Sequence, residues 1–152
     1  MKVLVAYYSR TNVTKKVGDA IAKSLNADVE EITSTVKYEG KIGYARAGKD
    51  AMGEKIIKLG ALKYNPSDYD LVYLGAPVWV GKAANPILSY IKQNEGKFND
   101  VKFFATAGSR DFDKIFKQMQ DYVGKAPQKT LELTTKEVKK GEFEEKLSSF
   151  IN

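Results

Sequence analysis

The amino-acid sequence predicts an α/β protein, a parallel sheet doubly wound with helices on both faces. Three observations carry this expectation. Short apolar runs rich in β-branched and aromatic residues alternate with stretches whose apolar residues recur at helical spacing. The strand-then-helix alternation repeats five times along the chain, and parallel neighbours need crossover connections that run right-handed and usually carry a helix. At 152 residues, 43% of them hydrophobic, the chain has the length and apolar content of one ordinary domain. A single domain over residues 1–152 is expected, and no repeat, low-complexity tract or linker marks a boundary.

Lys2 to Tyr8 (KVLVAYY) reads as a strand buried on both faces, because its apolar run is continuous rather than alternating. From Val13, the residues Val17, Ala20, Ile21 and Leu25 recur at helical spacing, with Lys15, Lys16, Asp19 and Lys23 between them. Asp28 to Thr33 is a second strand, placed toward an edge by its acids. Gly40, Gly43 and Gly48 loosen Ser34 to Lys49 into a long loop. A helix is then expected over about Ala45 to Leu59. Asp70 to Gly75 is the third strand, Val101 to Ala107 the fourth and Lys129 to Thr134 the fifth. Helical patterns cover Pro86 to Asn94, Asp111 to Val123 and Val138 to Ile151.

Composition excludes several chemistries. The chain has 25 Lys+Arg against 19 Asp+Glu, a net charge of +6, and neither cysteine nor histidine. Disulfides, thiolate nucleophiles, zinc fingers, iron-sulfur clusters and serine-histidine triads are therefore ruled out. Redox work must come from a borrowed organic cofactor. No metal site and no catalytic side chain is expected. No run of 18 apolar residues occurs, and the N-terminus enters the first strand without a leader pattern, so a soluble cytoplasmic protein without a membrane contact is expected. The Asn12-Val13-Thr14 glycosylation match carries no weight without a secretory signal. A pI of 9.3 allows an anionic partner, yet basic and acidic residues interleave. The clearest local excess is residues 34–63, with seven Lys/Arg against three Asp/Glu, read as a solvated basic face.

In a doubly wound sheet, ligands bind beyond the carboxyl ends of the strands, where the strand order reverses. Three loops end there. Ser9-Arg10-Thr11-Asn12-Val13-Thr14 follows the first strand and opens a helix, offering three hydroxyls and unpaired helix amides to an anion such as phosphate. A plain helix cap by those hydroxyls is the alternative. No Walker pattern and no G-x-G-x-x-G occurs, so a mononucleotide is favoured over a triphosphate or a dinucleotide. A response-regulator site is excluded as well, since the first and third strands end in Tyr8 and Gly75 rather than in carboxylates. Gly75 to Pro86, too broken in pattern for helix or strand, holds the single tryptophan, Trp79, which serves either as an aromatic platform or as core filler. Thr106 to Asp111 adds small residues, a hydroxyl and free amides before another helix, with a helix cap by Ser109 or Asp111 as the alternative. Together the three loops suit a planar heterocycle with a phosphorylated tail.

SRTNVTKKV, GAPVWVGKAANP and TAGSRD, in this order and spacing, resemble the flavodoxin family over nearly the whole chain. The resemblance implies a flavodoxin-like five-stranded sheet of order 2-1-3-4-5 and FMN as cofactor. By position, Ser9, Thr11, Asn12, Val13 and Thr14 would hold the phosphate, with Ser9 and Thr14 using hydroxyls, and Arg10 in the same loop counts among the cofactor-binding residues. Pro77, Val78, Trp79 and Gly81 would border the isoalloxazine ring and ribityl chain. Ala107, Gly108 and Ser109 would bound the pyrimidine edge. Asn12 stands where the family often has glycine, and Asn tolerates the left-handed backbone better than most residues. Gly108 to Asp111 lacks the tyrosine that often covers the ring; Phe112 is the nearest aromatic, which leaves one flavin face open. Flavodoxin electron carriers are usually acidic, and this chain is not. Arg10, Lys82 and Arg110, if they approach the ring, would make its potential less negative.

The implied function is a redox protein carrying electrons between partner proteins, as a monomer or weak homodimer. The runner-up is an NAD(P)H-dependent FMN or quinone reductase of the same fold, with the 34–49 loop as its lid. A third reading, a phosphate- or nucleic-acid-binding module without flavin, draws on the pI and on Tyr38, Tyr44 and Tyr64 as surface aromatics. Nucleic acid is not the expected partner.

Overall fold

Residues 1–109 and 112–152 are described by a computed structural model; Arg110 and Asp111, expected in the third loop and at the head of the following helix, lie outside the described residues. Val3–Tyr8 forms strand β1, and Leu4 to Tyr8 are all buried, as a continuous apolar run requires at the centre of a sheet covered on both faces. β1 pairs in parallel with β2 (Asp28–Ile32) on one side and with β3 (Leu71–Trp79) on the other. β3 in turn pairs with β5 (Asp100–Ala107), and β5 with β6 (Thr130–Thr134). A two-residue strand, β4 (Lys82–Ala83), folds back antiparallel on the end of β3. The order is β2-β1-β3-β5-β6, so the five parallel strands take the expected 2-1-3-4-5 arrangement, with β2 at an edge.

Side chains alternate across β1, and each set has its own helices. Val5 and Tyr7 face Val17 and Ile21 of α1 (Val13–Leu25), with Val138 of α5 (Thr135–Lys140) and Leu147 and Phe150 of α6 (Glu144–Ile151) in the same cluster. Leu4 and Ala6 belong to the opposite cluster. It holds Ala47 of α2 (Gly40–Met52), Ile87 and Ile91 of α3 (Asn85–Gln93) and Ile115 and Met119 of α4 (Asp113–Val123). Each fully buried side chain of this kind stabilises by about 1.5–3 kcal/mol. Lysines close the far end: Lys102, 5% exposed, donates to the carbonyl of Phe150 at 2.8 Å, and Lys129 to that of Ser149, both at the C-terminal end of α6. Burial pushes the Lys102 ammonium below its usual value.

Four expectations are corrected. The second helix spans Gly40–Met52, not Ala45 to Leu59, so residues 40–49 are helix rather than loop. Ser34 and Leu59 form a bridge, and Ile57 and Leu59 pack inward from extended chain, which mimicked a helical period. Gly43 is needed inside α2, because a Cβ there would lie 2.2 Å from the Tyr38 carbonyl carbon. Gly75 to Pro86 is ordered as strand and helix: β3 runs on to Trp79, and Val80 (φ 51) with Gly81 (φ 74) makes the tight turn into β4. The last helix is two, because Gly141 at φ 72 ends α5. Tyr38 is only 1% exposed, so it is a core residue and not a surface aromatic.

Gly75 sits under Phe104, where a Cβ would come within 2.0 Å of the ring. Gly75→Ala is expected to lower stability by about 1–3 kcal/mol through overpacking at the centre of the sheet, read as a lower denaturant midpoint at unchanged slope.

Candidate functional site

β1 ends at Tyr8, and the chain must turn into α1 within four residues. Asn12 makes that turn with a left-handed backbone, φ 68 and ψ 6, and its side chain makes no cap to the helix. Ser9 takes that part instead, its Oγ accepting from the Lys15 amide at 3.1 Å, and the Lys16 amide donates to the Asn12 carbonyl at 3.2 Å. Among the described residues, the amides of Thr11, Asn12, Val13 and Thr14 find no acceptor, and the first turn of α1 carries no acid. The mouth of α1 is thus a set of free donors at the positive end of a helix, able to hold an anion. Thr11 and Asn12 are exposed, Ser9 and Val13 half-buried. Thr14 is buried, with its Oγ1 2.8 Å from Thr106 Oγ1. That bond fixes the helix mouth against the end of β5 and leaves the Thr14 hydroxyl a further lone pair.

Arg10 turns away from the free amides. Its Nε donates to the Tyr38 carbonyl at 2.7 Å and its Nη2 to that of Gly40 at 3.1 Å, while the guanidinium lies 5.3 Å from the centre of the Tyr44 ring. It therefore ties the first loop to the head of α2. Trp79 is half-buried and meets Tyr8 and Tyr38 edge-on, at 5.6 Å and 5.1 Å between ring centres. Its remaining surface lines a cavity of ~120 Å³ under α2, together with Arg10, Tyr44, Gly48, Val78 and Val80. The indole is thus both core filler and cavity wall. Pro77 and Val78 are half-buried beside it and Gly81 is exposed at the hairpin turn. In the third loop, Ala107 ends β5 half-buried, whereas Gly108 and Ser109 are exposed. Phe112 is 2% exposed and stacks on Phe116 at 6.2 Å, so it belongs to the core and gives that loop no aromatic face.

Two groups escape a sequence reading. Tyr38 donates to Asp50 Oδ2 at 2.7 Å and accepts from Asn85 Nδ2 at 3.1 Å, a buried polar cluster beneath the aromatic wall. Burial pushes the Tyr8 and Tyr38 hydroxyls up to about 12, so both stay neutral at ordinary pH. Glu54, at φ 48 just past α2, gathers Gln118 Nε2 at 2.9 Å, Lys82 Nζ at 3.0 Å and the Tyr122 hydroxyl at 3.2 Å. No spacing rule links such distant positions. Lys82, which would raise the flavin potential if it approached the ring, is thereby paired with a carboxylate.

A family model described as flavodoxin matches residues 2–150. The chain belongs to the flavodoxin family. Among curated proteins, none matches its sequence. Of solved structures, a flavoprotein from Lactobacillus acidophilus NCFM in complex with FMN is 21% identical, with 91% of this chain and 97% of that chain covered and a TM-score of 0.76. A Bacteroides uniformis ATCC 8492 protein described as a flavoprotein is 26% identical over 92% of this chain and 96% of its own, TM-score 0.78. Oxidised flavodoxin 2 from Bacillus cereus is 18% identical over 99% and 95%, TM-score 0.58.

The bonds from Gln118, then Lys82 and Tyr122, hold the Glu54 carboxyl below its ordinary value. A depressed folded value means that the contribution is fully present above the unfolded value and fades as pH falls through the folded one. Glu54→Gln should cost about 1 kcal/mol at pH 7, since the site is partly screened by water, and the difference from the parent should vanish in acid. Denaturation at pH 7 and at successively lower pH measures both.

Proposed function

We propose that this protein binds FMN and carries electrons between partner proteins, in the cytoplasm and as a monomer or weak homodimer. The supporting observation is the free-donor mouth of α1: four adjacent backbone amides without an acceptor among the described residues, and no acid in the first helical turn. A phosphate monoester matches that donor set in charge and in number of oxygens. The amides of Thr11 to Thr14 and the hydroxyls of Ser9 and Thr14 would take the phosphate, as the family resemblance implies. Arg10 contributes charge nearby while its hydrogen bonds go to Tyr38 and Gly40. Pro77, Val78, Trp79 and Gly81 would border the ring and ribityl chain, and Ala107, Gly108 and Ser109 the pyrimidine edge. FMN supplies the redox chemistry that a chain without cysteine or histidine lacks. The flavoprotein from Lactobacillus acidophilus, of the same fold, was solved with FMN.

One observation favours the reductase reading. With Phe112 in the core, the described residues of the third loop, Ala107, Gly108 and Ser109, bring no aromatic side chain to the ring, which favours a flavin face open to a second planar reactant. Against it, residues 40–49 of the candidate lid form the start of α2, a helix tied by Arg10 at its head and followed by Glu54, which is held by Gln118. Rapid bleaching of the bound flavin by NADPH in stopped flow would establish the reductase; a slow or absent bleach supports the carrier.

The phosphate site is tested with Asn12→Asp. Aspartate suits an N-cap, so the fold should hold, while its charge beside the free amides opposes the phosphate. The expected result is an FMN dissociation constant raised about 10- to 100-fold, with riboflavin binding little changed. Equal losses for both ligands would sink the assignment of the phosphate to this loop.

A further inference from the structure

Among the described residues, the large hydrophobic side chains left exposed, apart from the terminal Met1, are Ile42, Tyr44, Met52, Ile56 and Val80, at 50% to 80% exposure. Four of the five lie in α2 or just past it, and Val80 packs beside Gly48 of the same helix. Soluble surfaces rarely gather apolar side chains this way without a partner. The same segment holds a local excess of positive charge, seven Lys/Arg against three Asp/Glu over residues 34–63. Two of those acids are spent inside the protein: Asp50 is buried against Tyr38, and Glu54 is occupied by Lys82, Gln118 and Tyr122. Lys41, Arg46, Lys49 and Lys55 are exposed and, among the described residues, pair with no acid. Elsewhere Lys15, Lys92, Lys117 and Lys146 have acidic partners within the chain, while Lys16 and Lys23 of α1 are exposed and, among the described residues, pair with none.

We infer that the exposed face of α2 is the docking surface for an acidic partner protein. Calling that partner a redox protein rests on the FMN reading, because α2 lies along Trp79 and Val80 of the loop that would border the ring. Uncompensated cations around exposed apolar side chains attract a negatively charged surface, orient it and repel a second copy of the same face. The apolar side chains then supply contact that charge alone does not. A lipid surface fits less well. Ile42, Lys49 and Met52 share one side of the helix at positions i, i+7 and i+10, which would carry the Lys49 ammonium to the depth of its apolar neighbours rather than leave it at the rim.

An acidic [2Fe–2S] ferredoxin serves as the probe, titrated by calorimetry into the FMN-loaded protein and into apoprotein. Two variants alter the face: the charge reversal Lys41→Glu/Arg46→Glu/Lys49→Glu, and Ile42→Ser/Met52→Ser. Saturable binding is expected, weakening about tenfold or more as salt rises from about 20 to 200 mM. The reversal should weaken it at least about tenfold, while the apolar variant weakens it with the salt dependence kept. Absence of binding, or equal binding by the charge reversal, overturns the inference. So does a dimer of the parent protein that Ile42→Ser/Met52→Ser dissolves, or binding to phosphatidylserine vesicles that the reversal abolishes while ferredoxin binding is unchanged. FMN uptake is followed by absorbance in the same samples. Failure to take up FMN with ferredoxin binding intact would remove the cofactor reading and leave the docking face standing.

Discussion

A parallel crossover turns only one way, and the site depends on that handedness. From the central strand β1 the chain passes through α1 to β2 on one side, then must return past β1 to reach β3 on the other. α1 packs on one face of the sheet, and α2 and α3 on the opposite face. The loops leaving β1 and β3 therefore part, and a cleft opens between them at the carboxyl ends of the strands. Nothing about the cofactor is needed to make that cleft. Its position follows from strand order, and the chain has only to furnish its rim.

The rim is furnished with donors that a helix ordinarily covers. An N-cap side chain contributes about 1 kcal/mol, and Asn12 gives none of it. Two neighbours offset the loss: Ser9 satisfies the Lys15 amide, and Thr14 bonds Thr106 across the base of the cleft. Holding the mouth from the side and from beneath keeps four amides facing outward. A left-handed Asn12, φ 68, is what swings the turn clear of them, so a residue that departs from the family's usual glycine still reaches the same backbone region.

Most of this was legible because it is local. Strand periods, the hydroxyls after β1 and the isolated Trp79 are all features of a few consecutive residues. What escaped was set by contacts far along the chain. Ile56, Ile57 and Leu59 imitate a helical period, but the bridge from Ser34 to Leu59 holds that stretch extended. Gly40 and Gly43 look like loop residues; one stands at φ 71 at the head of α2, and the other lets the helix settle against Tyr38. Tyr38 could not be told from a surface tyrosine without Asp50 and Asn85 beneath it. The branched Val80 at φ 51 has no local signal at all, because its strain is tolerated only by the hairpin of β3 and β4.

The electrostatics of the cleft follow from the same long-range pairing. Of the two cations in the loops after β1 and β3, Arg10 lines the cavity beside Trp79, whereas Lys82 lies on the side of Glu54 and α4. Lys82 faces Glu54 at 3.0 Å, and the pair is neutral as a unit. Arg10 is held by carbonyl oxygens, which orient a guanidinium without cancelling its charge. A positive charge placed there stabilises an anion in the cleft whether that anion is a phosphate or an electron-rich ring. By binding Tyr38 and Gly40, the same guanidinium also fixes the head of α2, the helix with the uncompensated cations. One residue thus joins the anion loop to the basic surface, so the field at the cleft and the placement of that surface are set together.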